Sequence, residues 1–264
     1  MSAFINYRNI DFKLDYKNYH ASKVSLSAQS SVSAVVLDDG SLLNYAPDGA
    51  VIGSLSCEFY LTGSLPSFLN ITGTSESSIT ASFAGVNLNT VYAKAISFGV
   101  EPFQPIRISA EFDWYGTVDS FDFTEQSSYS ANLKSTPSYL ANAYKSYMTT
   151  ADILGLKNVV SFDYNASCDR PAFYNVDSKI PFRVAKLNKK VGLSLKASNL
   201  GSLIDINGKT ASTTIYLKDS YGTSLDTFLV SGILTNQNYE VSDGQYLMSS
   251  ANIIQTVTER KTLI

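Results

Sequence analysis

Histidine and cysteine are nearly missing from this 264-residue sequence, which has only His20, Cys57 and Cys168. So few ligands all but exclude an ordinary zinc site, which takes four His or Cys side chains in structural centres. A Ser-His-Asp triad would have to recruit His20, and no Gly-x-Ser-x-Gly elbow accompanies it. His20 stands in strand-like sequence, where an exposed or hydrogen-bonded imidazole is the simple reading. No Gly-x-x-x-x-Gly-Lys-Ser/Thr loop is present to cradle a phosphate. No apolar window approaches the ~18 residues that a membrane-spanning helix needs. The opening Met1–Arg8 lacks the basic-then-apolar pattern of a secretory signal. Charge is also scarce. Asp, Glu, Lys and Arg make up 16% of the chain, against roughly 25% in ordinary globular proteins. The net charge is −3. The densest basic group is Lys186, Lys189 and Lys190 with Arg183 nearby. It reads as a solvated turn, and the chain lacks the footprint of sequence-specific nucleic-acid binding.

Aromatic and small polar residues take the place of charge. There are 17 tyrosines and 14 phenylalanines, which suit pleated surfaces. They also suit subunit interfaces, where tyrosine supplies area with a polar tip. Strict alternation recurs in Ile10–Tyr16, Val24–Ala28, Leu55–Leu61, Ile106–Trp114 and Val191–Ala197. That period predicts antiparallel strands with one wet face. It places Leu55, Phe59, Ile108, Phe112, Leu193 and Leu195 in the core. Turn signals separate the strands at Asp38-Asp-Gly40, Pro47-Asp-Gly49, Asn207-Gly208, Asp219-Ser-Tyr-Gly222 and Asp243-Gly244. Helix is expected only near 137–154, with Thr136 as cap and Pro137 in the first turn. A shorter turn is expected from Pro66 through Phe68 and Leu69.

Matched segments recur in the same order. Ser54–Gly63 resembles Gly192–Gly201, and Ile79–Gly85 resembles Asp226–Gly232, followed by Tyr92 and Tyr239 respectively. The fold expected is therefore all-β and mainly antiparallel, with two tandem barrel or sandwich units and one or two short helices. Residues 1–120 would form the first unit, 121–158 a connection containing the helix, and 159–264 the second. Each unit of about 130 residues or fewer is large enough to bury a core.

Side chains that could carry chemistry are few. Glu58, Glu101, Glu111, Asp113 and Asp163 could in principle pair as glycosidase carboxylates. Glu111 and Asp113 alternate with an apolar set, however, so a wet sheet face is the simpler reading. Asp38-Asp39-Gly40 lacks the spaced ligands of a calcium loop. Cys57 falls on an apolar register and reads as a buried free thiol. A Cys57–Cys168 disulfide is the alternative to a reduced chain. Trp114 continues its strand's apolar register and reads as core or interface, not as a sugar platform. The sequence thus names no catalytic, cofactor-binding or metal-binding residue, and the chain does not read as an enzyme.

The stretch Ile79–Trp114 resembles the C-terminal strands of bacteriophage tail-tube-like proteins. It has a Gly-Val-Asn turn at Gly85, a strand from Val91 to Phe98, a Gly99-Val-Glu-Pro102 bend and a final alternating strand from Ile106. The opening Phe4–Phe12 resembles the start of short structural proteins of tailed-phage virions. The second half lacks the Glu-Pro bend at Gln245–Ser250. The resemblance implies β units that join edge to edge, six to a ring. A two-unit chain would close that ring as a trimer, a one-unit equivalent as a hexamer. It implies a tail, neck or hub ring protein of a virion assembled in the host cytoplasm. Such a ring contacts other virion proteins and forms a conduit for DNA. The alternative is a capsid decoration or a receptor- or glycan-binding β module. The hydrophobic end of Thr256–Ile264 would serve as a docking tail.

Overall fold

The computed structural model describes residues 12–19, 21–30, 32–47, 51–61, 63–83, 86–101, 104–116, 147–148, 157–176, 178, 180–199, 209–219, 221–241 and 247–257. His20, the Pro47-Asp-Gly49, Asn207-Gly208 and Asp243-Gly244 turns beyond Pro47, most of the 121–158 connection and the 258–264 tail fall outside them.

The strands, in chain order, are β1 (Phe12–Leu14), β2 (Lys17–Tyr19), β3 (Ala21–Gln29), β4 (Val32–Val36), β5 (Leu42–Pro47), β6 (Ile52–Tyr60), β7 (Ile79–Phe83), β8 (Val86–Val100) and β9 (Arg107–Tyr115). They continue as β10 (Tyr147–Met148), β11 (Lys157–Asp169), β12 (Ala172–Phe173), β13 (Arg183–Val184), β14 (Leu187–Asn199), β15 (Thr210–Lys218), β16 (Ser224–Glu240) and β17 (Met248–Val257). Every described ladder is antiparallel. The one described helical element is a 3-10 turn at Ser67–Leu69, where the Pro66 signal placed it.

Thirteen strands share one sheet, while β4–β5 and β12–β13 are separate two-stranded ribbons. From β8 the sheet runs one way through β9 and β6 to β3. On its other edge the long β8 pairs twice. Its first half takes β7, and its last residues, Ala95–Val100, take β11. Beyond β11 follow β14, β17, β16, β15 and β10.

The same pairing order stands on both sides of the connection. Strands β1, β3, β6, β7, β8 and β9 pair in the order β3-β6-β9-β8-β7-β1. Strands β10, β11, β14, β15, β16 and β17 pair as β11-β14-β17-β16-β15-β10. Even the separate ribbons correspond, since β4–β5 lies between β3 and β6 and β12–β13 lies between β11 and β14 in the chain.

Two bulges correspond as well. Ser22 is the extra residue between pairs Ala21–Phe59 and Lys23–Glu58, and Val160 between Val159–Ala197 and Ser161–Lys196. Lys94 is extra between Ala93–Phe112 and Ala95–Glu111, and Thr235 between Leu234–Ile253 and Asn236–Asn252. Bulges break a ladder and bend a strand at a chosen point, so a shared position is informative. These registers set β6 against β14, as the sequence match did. They set β7 against β15, not against the start of β16, and Phe98, not Tyr92, against Tyr239.

The alternating residues form the core as expected: Leu55, Phe59, Ile108, Phe112, Leu193 and Leu195 are all buried. One continuous core cluster draws on strands from both sides of the connection. Phe98 of β8 stacks on Tyr164 of β11 at 4.9 Å, and both meet Phe228 of β16, at 5.2 and 4.9 Å. Three strands separate β11 from β15 along the sheet, and β16 is among them. For Phe228 to reach Phe98, the sheet must curl back over itself into a sandwich-like shape. The turn region near Leu65 follows, its backbone N–H donating to Asp226 Oδ2 at 3.2 Å.

Two expectations need correction. Tyr147–Met148 is a strand on the edge of β15, inside the stretch expected to be helical. An unfilled sheet edge offers ladder hydrogen bonds that outweigh a helical apolar pattern; the rest of that stretch lies outside the described residues. The alternation through Tyr16 also breaks. Asp15 and Tyr16 have positive φ and form the tight turn between β1 and β2, leaving Tyr16 exposed. Both central residues of a primed hairpin turn need that conformation, which periodicity does not register.

Candidate functional site

The joint between β8 and β11 couples the two strand sets. Across it Phe162 faces Val100, Tyr164 faces Phe98 and Ala166 faces Ile96. All six side chains are buried. On the opposite face Asp163 and Asn165 lie across from Gly99 and Ser97. A Cβ on Gly99 would meet Asp163 Oδ1 at 2.7 Å, so the glycine makes room for the carboxylate. The joint is thus apolar inward and polar outward, and strand register holds it firmly, because a one-residue slip would bury Asp163.

Two edges of the same kind end without a partner among the described residues. One is the side of β3 turned away from β6. The other is the far half of β16, Asn236–Glu240, on the side turned away from β17. β15 covers that side of β16 only as far as Ile233, with one more bond from Leu234 N–H to Lys209 O at 3.0 Å. Unpaired strand edges of this length are a liability that natural proteins cover or use.

The β4–β5 ribbon adds a second exposed surface. It pairs only with itself, and Leu43 and Tyr45 are 62% and 60% exposed, with Val32, Val36 and Leu42 exposed beside them. A lone two-stranded ribbon is marginal in water. These apolar side chains are left uncovered by the rest of the described chain. Its tip is the predicted Asp38-Asp39-Gly40 turn. Asp39 Oδ1 accepts from Ser41 N–H and hydroxyl, which lower the carboxyl's pKa, and Gly40 has φ +80°.

The carboxylates weighed as acids scatter. Glu111 is exposed on β9, and Glu101 is exposed just past β8. Asp113 is buried and pairs with Lys94 Nζ at 3.1 Å. Glu58 and Asp163 do come together, with Arg107, around a shallow depression of about 260 Å³ beside the β8–β11 joint. Ser97, Gly99, Ser109 and Asn165 line it too, together with the rims of Phe98 and Tyr164. Glu111 has the wet face expected of it, whereas Asp113 does not, because it is buried against Lys94. Among the described residues no three His, Cys, Asp or Glu side chains converge as a metal site would require.

The basic cluster is split: Lys186 and Lys189 are buried, while Arg183 and Lys190 are exposed. Lys186 is buried and its Nζ donates to Asn70 O at 2.9 Å and Gly73 O at 3.3 Å. Arg183 forks onto Glu76 at 3.1 and 3.3 Å, and its hydrogen bonds hold the Glu76 carboxyl below the usual range. Sequence reasoning missed that Lys186 and Arg183 clamp the 70–76 loop, because their partners, two carbonyls and the Glu76 carboxylate, lie far away in the chain. It also missed Arg170, whose Nε donates to Ala93 O at 2.7 Å at the edge of the joint.

Cys57 and Cys168 are both free and buried, and burial raises the Cys57 thiol to about 12. Trp114 is a core residue whose indole N–H reaches Ser27 O at 3.3 Å. Among the described residues no helix is long and apolar enough to cross a membrane. No protein-family model and no curated protein sequence matches the chain.

Proposed function

We propose that the chain is a structural ring component of a tailed-phage virion, a tail, neck or hub protein made of two tube-like β units that arose by duplication. The observation that carries this reading is the repeated strand order, with both bulges in register, joined edge to edge at β8 and β11. A unit that already joins its twin through a strand edge is built for a chain of such joints. The low charge and the exposed apolar ribbon suit contacts with neighbouring copies and other virion proteins. A trimer would present six units around a channel that DNA could pass.

Negative-stain imaging and sedimentation velocity of the purified protein test the reading. Rings with three chains, or stacks of them, are expected. A monodisperse monomer at high concentration, with no density for the chain in the tail or neck of its particle, would overturn it. Glycan binding by that monomer would favour the receptor-binding alternative.

A further inference from the structure

The joint inside the chain specifies a second joint between chains. The shared bulges put Val24, Leu26 and Ala28 of β3 where β11 has Phe162, Tyr164 and Ala166. They put Gln237 and Tyr239 of β16, and Val241 just beyond it, where β8 has Ile96, Phe98 and Val100. In the chain these two triplets face each other and are buried. Their counterparts lie on the two edges without partners among the described residues.

We propose that β3 of one copy adds antiparallel to the far half of β16 of a neighbouring copy, repeating the β8–β11 joint. The inference rests on the reading that copies of this chain assemble with one another. The register transfers directly. Val24 faces Val241, Leu26 faces Tyr239 and Ala28 faces Gln237, apolar surface against largely apolar surface. On the outer face Ser25 meets Glu240, where Asp163 meets Gly99 in the chain. Each version sets one carboxylate against one small residue, so the volume is kept while the partners exchange. Val241 is 71% exposed in the single chain. The donor and acceptor edges differ, so the contact is heterologous and repeats from copy to copy until it closes.

Engineered disulfides read the register. Directly opposed residues of antiparallel strands have Cα atoms about 4.5–5.5 Å apart, within disulfide range. Copies carrying Leu26→Cys are mixed with copies carrying Tyr239→Cys, and the double variant is tested alone. Ser25→Cys with Tyr239→Cys is the off-register control. Cys57 and Cys168 are buried and free, so mild oxidation addresses the introduced thiols. Circular dichroism checks that each variant folds. The unmodified chain gives an independent readout by hydrogen exchange, with protection gained on assembly at 24–29 and 236–241. Dimers from the mixture, a closed covalent ring from the double variant and no cross-link from the control are expected. Assembly without the cross-link and without that protection would overturn the joint but leave the ring reading standing. Absence of assembly in the unmodified chain would overturn both.

Discussion

Replacing Phe98 by Ala tests whether the β8–β11 joint is part of one core. Phe98 is 3% exposed, stacks on Tyr164 at 4.9 Å and meets Phe228 at 5.2 Å. Truncation removes the ring's burial and both aromatic contacts, and leaves a cavity between three strands. Such Phe→Ala changes cost about 3–5 kcal/mol. The aromatic pairs supply roughly 0.5–1.5 kcal/mol each of the total beyond area. In urea, with a slope of about 2–3 kcal/mol/M for a chain of this size, the midpoint should fall by roughly 1–2 M. Phe182 is the control: it is 63% exposed, and its alanine variant should stay within about 0.5 kcal/mol. The assay belongs at concentrations below assembly, because association adds apparent stability. Fluorescence and circular dichroism should trace one transition if the joint couples both strand sets, and separate transitions if it does not. A loss below about 1 kcal/mol with an unchanged slope would refute the reasoning.

Gly53→Ala should perturb the only tryptophan, since a Cβ there would lie 1.7 Å from Trp114 Nε1; overpacking of this kind costs about 1–3 kcal/mol, and an unmoved Trp emission with unchanged stability would contradict the packing. Burial raises Cys57 from 9.0 and Tyr164 from 10.0, each to about 12. Above pH ~9 the unfolded chain therefore holds fewer protons than the folded one, and stability should fall as pH rises from about 9 to 12; a midpoint that stays flat over that window would count against it. Cys57 should likewise resist iodoacetamide at pH 8 until denaturant is added, as mass spectrometry would show. Replacing the β4–β5 ribbon by a short Gly-Ser turn should leave the melting temperature of the monomer within a few degrees, because the ribbon pairs with no other strand, while light scattering should show weakened assembly.

The core faces were legible because period two has a single physical meaning on a half-buried strand. Leu55, Phe59, Ile108 and Phe112 alternate with polar neighbours, and burial follows the alternation. Turns with a Gly or Asp signature were legible too. At Asp219 the side chain accepts from the N–H groups of Tyr221 and Thr223, and Gly222 supplies φ +87°. The turn at Asp15–Tyr16 was hidden despite its aspartate, because both residues continue the polar–apolar alternation and a tyrosine with positive φ is rare enough to be discounted. The clamp of Lys186 and Arg183 on the 70–76 loop was hidden for another reason. Its partners are a carbonyl pair and a carboxylate more than a hundred residues away, and composition shows only a short basic run.

The repeat illustrates where residue patterns stop and hydrogen bonds take over. Ser54–Gly63 and Gly192–Gly201 matched because both are central strands with the same buried face, and the registers place β6 on β14. Ile79–Gly85 and Asp226–Gly232 matched on similar letters, yet one belongs to a hairpin arm and the other to the long strand that the arm joins. Apolar letters on a strand record only which face is buried; they do not record the neighbour. A bulge records the neighbour, because it exists only in a pair. Ser22 with Val160, and Lys94 with Thr235, share no chemistry at all. They coincide because each strand pair bends at the same point. The equivalence behind the proposed second joint therefore rests on backbone pairing, and it can be read only from the folded chain. If the Leu26–Tyr239 cross-link forms in that register, backbone pairing will have predicted an interface that the side-chain sequence alone does not reveal.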